Sequence, residues 1–136
     1  MEDPDIRWKQ RFRNFSNSVD NLEEAVAIAE PNKFERQGLI KAFELAYELA
    51  WRTLHDYLKD LGIEDIFGPK PVIRRACSDG IVTNGIAWQA MHQARNESAH
   101  LYGEDRARCV EEAVRRDFAP LLRDLRDVLK ARYDAE

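Results

Sequence analysis

One short segment of this 136-residue chain concentrates side chains that can act on a phosphodiester: Arg95-Asn96-Glu97-Ser98-Ala99-His100-Leu101-Tyr102. A guanidinium fork binds phosphate oxygens and stabilises the charge that builds in a transition state. An imidazole moves a proton near neutral pH. In RNA cleavage the ribose 2′-hydroxyl is the nucleophile, so Arg95 and His100 would need neither a protein nucleophile nor a metal. Acid–base help from His100 would be worth roughly 10²–10⁴-fold. The same residues also suit a plain ion-pairing group at an exposed helix end, and composition alone does not separate the two.

Spacing sets a condition on the catalytic reading. At about 100° per residue, Arg95 and His100 lie about 140° apart on an unbroken helix. Asn96 and His100 share a face, as do Arg95 and Tyr102. Arg95 and His100 can meet one phosphate if the helix loosens before Gly103, or if two copies pair across a symmetry axis. Pairing, with a cleft at the dimer seam, is the favoured expectation. His92 stands one turn before Asn96 and is expected to be merely exposed. His55 carries no metal-ligand pattern and is read as structural. Glu44 and Glu48, like Asp56 and Asp60, are four residues apart, a spacing that can bind metal in helical bundles. No Glu-x-x-His element accompanies them, so they are read as solvated faces or buried structural partners and no metal or cofactor is expected.

The elements that must position this segment read as helices. Trp8, Phe12, Phe15, Val19, Leu22, Val26 and Ala29 step by fours and threes, which places them on one stripe of a helix over about residues 5–29. Pro31-Asn32 should end it. A second helix should run from Lys33 to Leu61. Its apolar side (Leu39, Phe43, Ala46, Tyr47, Ala50, Trp51, Leu54, Leu58, Leu61) is wide, so it should touch several neighbours. Gly62 supplies a left-handed stop. Pro69-Lys70-Pro71 can open a short helix that ends at Asp79-Gly80. A fourth begins near Asn84 as N-cap and carries Trp88, Met91 and Ala94. After Gly103 a charged helix covers Glu104–Arg116. Asp117 should cap a last helix whose stripe is Phe118, Leu121, Leu122, Leu125, Val128 and Leu129, continuing to Tyr133. No stretch alternates like a strand. The expected fold is all-α, an antiparallel up-and-down four-helix bundle with short accessory helices, in a single domain over residues 1–136.

Composition narrows the partners. The hydrophobic share is 44% and the charged share 34%, enough to bury a core and remain dissolved. The net charge of −4 argues against coating nucleic acid by bulk positive charge, though not against a local phosphate site. No run reaches the ~18 apolar residues of a membrane span. The acidic start, Met1-Glu2-Asp3-Pro4-Asp5, lacks a signal core, so a cytoplasmic protein without membrane contact is expected. Cys77 and Cys109 form no CxxC pair and are expected to stay reduced.

Arg95-x4-His100-x-Tyr102 resembles the R-x4-H-x-Y signature of HEPN-domain toxins. The resemblance widens along the chain. Arg7-Trp8-x3-Phe12-x2-Phe15, Phe43-Glu44-x2-Tyr47-Glu48-Leu49-Ala50-Trp51-x2-Leu54-x2-Tyr57-Leu58, Gly68-Pro69-Lys70 and Trp88-x6-Arg95-Asn96 are similar to blocks of the nucleotidyltransferase substrate-binding proteins. An R-x4-H pair alone is common by chance, whereas the ordered set of blocks is specific. The resemblance implies a homodimeric helical bundle that acts as a metal-independent endoribonuclease on an RNA substrate. It implies Arg95 and His100 as the ribonuclease residues, with Asn96 supporting them. It also implies a cognate minimal nucleotidyltransferase antitoxin that transfers AMP onto Tyr102, where phosphate charge would repel RNA. The alternative is a non-catalytic subunit that binds substrate or nucleotide for a separate nucleotidyltransferase; a helical dimer with only a scaffolding role is a third.

Overall fold

A computed structural model describes residues 4–98, 100 and 103–135. The elements are α1 (Pro4–Val26), α2 (Lys33–Asp60), α3 (Pro69–Ser78), α4 (Gly85–Ser98), α5 (Glu104–Ala113), a π-helical turn (Val114–Phe118) and α6 (Ala119–Ala135). No strand occurs among the described residues. The four long layers are α1, α2, α4 and the α5–α6 column, with α3 as the accessory helix.

Side-chain pairs between helices fix their directions. Arg13 meets Tyr133, Asp20 meets Arg126 and Glu23 meets Arg123, so each step up α1 is matched by a step down α6. Arg11 of α1 pairs with Asp56 near the end of α2, which runs α1 and α2 antiparallel. Glu48 of α2 faces Arg95 of α4, while Glu44 reaches Ser98. The result is the up-down-up-down bundle that the stripes required. As its wide apolar side requires, α2 is central and packs against all five other α-helices.

Local chemistry explains most of the boundaries. Asn32 and Glu35 form a reciprocal capping box, each side chain accepting the other's backbone N–H at 2.8 Å. Gly62 takes φ +93° and lets the Ile63 N–H close back on the Leu58 carbonyl. The Asn84 side chain accepts the Ala87 N–H and caps α4, as expected. The core runs along the predicted stripes, with Trp8, Phe15 and Leu22 from α1, Phe43 and Leu54 from α2, and Leu122 and Leu129 from α6 fully buried.

Three expectations need correction. First, α1 stops at Val26, and Ala29 is exposed. Arg115 donates to the carbonyls of Val26 and Ile28, so a side chain from a distant element terminates the helix where apolar periodicity alone would continue it. Second, Asp117 caps nothing; it pairs with Arg116, and the backbone passes from α5 into α6 without a break. Pro120 lacks an N–H and its ring would strike the Arg116 carbonyl in a regular helix. The π turn, closed by the Ala119 N–H on the Val114 carbonyl, inserts the extra residue that accommodates it. Third, Leu61 and Val128 lie on their stripes by spacing but are 52% and 38% exposed. Leu61 sits at the C-cap of α2, past the last helical turn, and Val128 at the edge of a stripe whose centre is Leu122, Leu125 and Leu129.

Candidate functional site

The site is built on α4, whose inner stripe is Trp88, Met91, Arg95 and Ser98, in steps of three and four. Trp88, Met91 and Ser98 are buried where α4 packs against α2, α3 and the π turn. Arg95 therefore enters the bundle at a core-facing register, with its side chain 26% exposed. Two carboxylates one turn apart on α2 meet it there. Nη1 lies 3.8 Å from Glu44 Oε2, and Nε lies 3.8 Å from Glu48 Oε1. Both distances are too long for hydrogen bonds. Nε is buried and has no hydrogen-bond partner among the described residues. The same Glu44 Oε2 accepts from the Ser98 hydroxyl, and Oε1 lies 3.5 Å from Lys41 Nζ.

The bundle also contains arginines of an ordinary structural kind. Arg36 donates to Glu111 and Glu104, both at 2.7 Å, and Arg115 donates to Glu111 at 2.7 Å. Burial raises the Glu111 carboxyl, but the hydrogen bonds and charges of Arg36 and Arg115 outweigh it and hold the group below the usual carboxylate range. Arg95 has the charge partners of such a cluster without the closed geometry.

Asn96 lies on the next face of α4, toward α3, and is exposed. Its amide is 3.2 Å from His92 Nε2, and His92 Nδ1 is 2.8 Å from the Tyr47 hydroxyl. Tyr47 is 1% exposed, and Nδ1 is the one hydrogen-bond partner of its hydroxyl among the described residues. Burial, reinforced by Glu48 and opposed by Arg95, raises the Tyr47 pKa, so the phenol keeps its proton. The Asn96 amide nitrogen donates to Nε2, so the neutral ring carries its proton on Nδ1 and donates it to the Tyr47 oxygen. Burial and the Lys70 charge lower the His92 pKa, with Glu48 opposing, which keeps the ring neutral. His92, expected to be merely exposed, is instead half-buried and orients Asn96. The spacing of four between His92 and Asn96 was the available signal, but nothing in the sequence placed Tyr47 beneath them.

His100 lies beyond the end of α4, in a turn where its N–H donates to the Glu97 carbonyl at 2.9 Å, and it is exposed. The helix therefore loosens before Gly103, and the 140° separation no longer governs His100. No hydrogen bond or ion pair joins Arg95 to His100 among the described residues. Tyr102 lies outside the described residues.

Glu44 and Glu48 are structural partners of Arg95, one of the readings their spacing left open. Asp56 accepts from Arg11 at 2.8 Å and lies 3.3 Å from His55, whose ring meets the edge of Phe67. No group of three or more His, Cys, Asp or Glu side chains among the described residues could hold a metal ion. Cys77 and Cys109 are both free. No helix among the described residues is long and apolar enough to cross a membrane.

Alongside Asn96, helices α3 and α4 enclose an open cleft of about 850 Å³. Lys70 and Arg74 line one wall, Gln89, Gln93 and Asn96 the other.

Comparison with known proteins places the chain among relatives of the same helical fold. The sequence model of the family described as nucleotidyltransferase substrate binding protein like matches residues 10–131. Over 105 residues the chain is 29% identical to a Haemophilus influenzae protein described as a probable ribonuclease HepT, covering 66% of this chain and 72% of that one. The fold is similar to the crystal structure of a Thermus thermophilus protein, with a TM-score of 0.75, 27% identity, and coverage of 88% of this chain and 98% of that one.

Proposed function

The chain belongs to the HEPN-like family of nucleotidyltransferase substrate-binding proteins, and we propose that it is a metal-independent endoribonuclease, the toxin of a toxin–antitoxin pair. The single observation that carries this reading is the state of Arg95. A structural arginine closes on its carboxylates, as Arg36 and Arg115 do at 2.7 Å. Arg95 stops 3.8 Å short of two of them and keeps a buried Nε–H unused. With its side chain 26% exposed and no carboxylate bonded to it, the guanidinium can turn to a phosphate oxygen and make the charge-assisted bond the carboxylates do not. The name of the Haemophilus influenzae relative, a probable ribonuclease, supports the same chemistry.

In this reading the ribose 2′-oxygen attacks phosphorus, and His100 takes its proton. The bond to the 5′-oxygen breaks, that oxygen takes a proton from water and departs as a 5′-hydroxyl, and a 2′,3′-cyclic phosphate forms on the upstream fragment. Arg95 neutralises the oxygens that gain charge, and Asn96, aligned by His92, positions the ribose or phosphate. Within one chain Arg95 faces α2 while His100 follows the helix end, so a second copy completes the site as a homodimer. The partner is a cognate nucleotidyltransferase that transfers AMP onto the Tyr102 hydroxyl with release of pyrophosphate. The added phosphate lies two residues from His100 and repels the RNA backbone.

Purified protein incubated with RNA and a chelator should produce fragments with cyclic phosphate ends. His100→Ala and Arg95→Gln should abolish cutting while circular dichroism stays helical. Equal inertness of wild type and His100→Ala on several RNAs would remove the ribonuclease assignment. Coexpression with the adjacent reading frame should add one or more AMP units to the intact mass, and Tyr102→Phe should prevent the gain.

A further inference from the structure

The α3–α4 cleft holds side chains that the proposed reaction leaves unused. Lys70 and Arg74 stand one turn apart on α3, both exposed. Neither forms an ion pair with a carboxylate among the described residues, whereas the neighbouring Arg75 is paired with Asp79. Two uncompensated cations on one wall are notable in a chain of net charge −4. Opposite them, Gln89, Gln93 and Asn96 follow one face of α4 in steps of four and three, and all three are exposed. The floor is apolar, with Ile73 and Trp88 buried at its base and Ile86, 83% exposed, beside the opening. The volume of about 850 Å³ lies within the ~300–1,000 Å³ usual for small-molecule sites.

We propose that this cleft is a nucleotide subsite, which takes one nucleotide of single-stranded RNA next to the phosphate held at Arg95. The backbone phosphate lies along Lys70 and Arg74. The base rests against Ile73 and Ile86 and turns its hydrogen-bonding edge to Gln89 and Gln93. Primary amides both donate and accept, so they can read a base edge, and an unpaired strand leaves that edge free. Asn96 and His92 line the cleft, and Asn96 is the residue after Arg95 on α4, so the subsite borders the candidate catalytic site along that helix. A second copy of this chain would favour an apolar groove; here the walls are cations and amides, and Ile86 is the one strongly exposed apolar side chain in the lining. The inference rests on the ribonuclease reading for its choice of RNA, and binding can be tested separately from cutting.

The test uses fluorescent 2′-O-methyl homopolymers of each base, in which the nucleophile is blocked and only binding is read. Lys70→Ala and Arg74→Ala should each weaken every oligomer about fivefold at 0.1 M salt. They should also lower the slope of log affinity against log salt by about 0.7. Gln89→Ala with Gln93→Ala should change the ranking among bases and leave that slope unchanged. All four positions are exposed, and thermal melting checks that each variant folds. Wild-type affinity and ranking in all these variants would overturn the proposal, as would failure of the wild type to bind any oligomer. If Ile86→Asp splits a dimer while Lys70→Ala binds normally, the cleft is an interface between copies and the proposal falls. Parallel cleavage assays on unmodified RNA separate the two ideas. Lost binding in the variants of a protein that never cuts would keep the subsite and remove the ribonuclease. Unchanged cutting and KM in Lys70→Ala would do the reverse.

Discussion

Replacing Arg36 by methionine tests whether the bundle is held by the buried charge cluster at the start of α2. Arg36 is 7% exposed and joins three parts of the chain: Glu111 and Glu104 of α5 and the Pro31 carbonyl before α2. Methionine keeps the aliphatic stem, so the loss isolates the charge. Removing one member of a buried ion pair typically costs about 3–5 kcal/mol because the other is left uncompensated. Two features here lower that figure. Arg115 still holds the second oxygen of Glu111, and Glu104, 45% exposed, returns to water. The expected loss is therefore about 3 kcal/mol, the low end of the range. With a urea slope of about 2 kcal/mol/M, the midpoint should fall by about 1.5 M at pH 7. The sign with pH follows from the depressed Glu111 pKa. Its stabilisation is complete above the ordinary value of 4.5 and disappears as pH falls through the folded value. The gap between wild type and Arg36→Met should therefore narrow on acidification below about pH 4.5. A loss under 1 kcal/mol at pH 7, or a gap that widens in acid, would refute the account of the cluster. Glu104 opens α5 just after the turn that carries His100, so RNA cutting should decline in the same variant.

Other perturbations address the site itself. Glu48→Gln removes one of the carboxylates that compete with phosphate for Arg95. For a pair this exposed the competition is worth about 0.5–1 kcal/mol, so affinity for 2′-O-methyl RNA should rise roughly two- to fivefold by anisotropy, and a fall would contradict the role given to Glu48. His92 has a folded pKa below its ordinary 6.5, so the unfolded chain binds its proton first, and wild-type stability should fall as pH drops below 6.5 toward the folded value. Urea titrations of His92→Asn should lack that component; an identical pH profile would mean that the ring titrates freely.

Much of the bundle was legible because apolar periodicity and helix punctuation are local properties. The stripe from Trp8 to Leu22, the wide face of α2, the stop at Gly62 and the cap at Asn84 each follow from residues within a turn or two of one another. Breaks set by remote partners were not legible. Arg115 ends α1 from about ninety residues away along the chain, and the π turn before Pro120 turns an expected helix start at Asp117 into a continuous column.

The candidate site divides in the same way. Residue types and spacing singled out Arg95, Asn96 and His100, because phosphate chemistry needs a fork, a polar support and a proton carrier. Spacing put Trp88, Met91 and Ala94 on the apolar side of α4, and only the structure showed Arg95 at a register facing α2. Spacing of four, however, says only that Glu44 and Glu48 share a face of α2, and that His92 shares one with Asn96. Which helix each face meets depends on packing of the whole bundle. That packing set the two carboxylates against Arg95 at 3.8 Å, put Tyr47 under His92, and opened the cleft between α3 and α4. Periodicity along one helix carries its hydrophobic pattern, whereas distances between helices arise only when several such patterns are buried against one another.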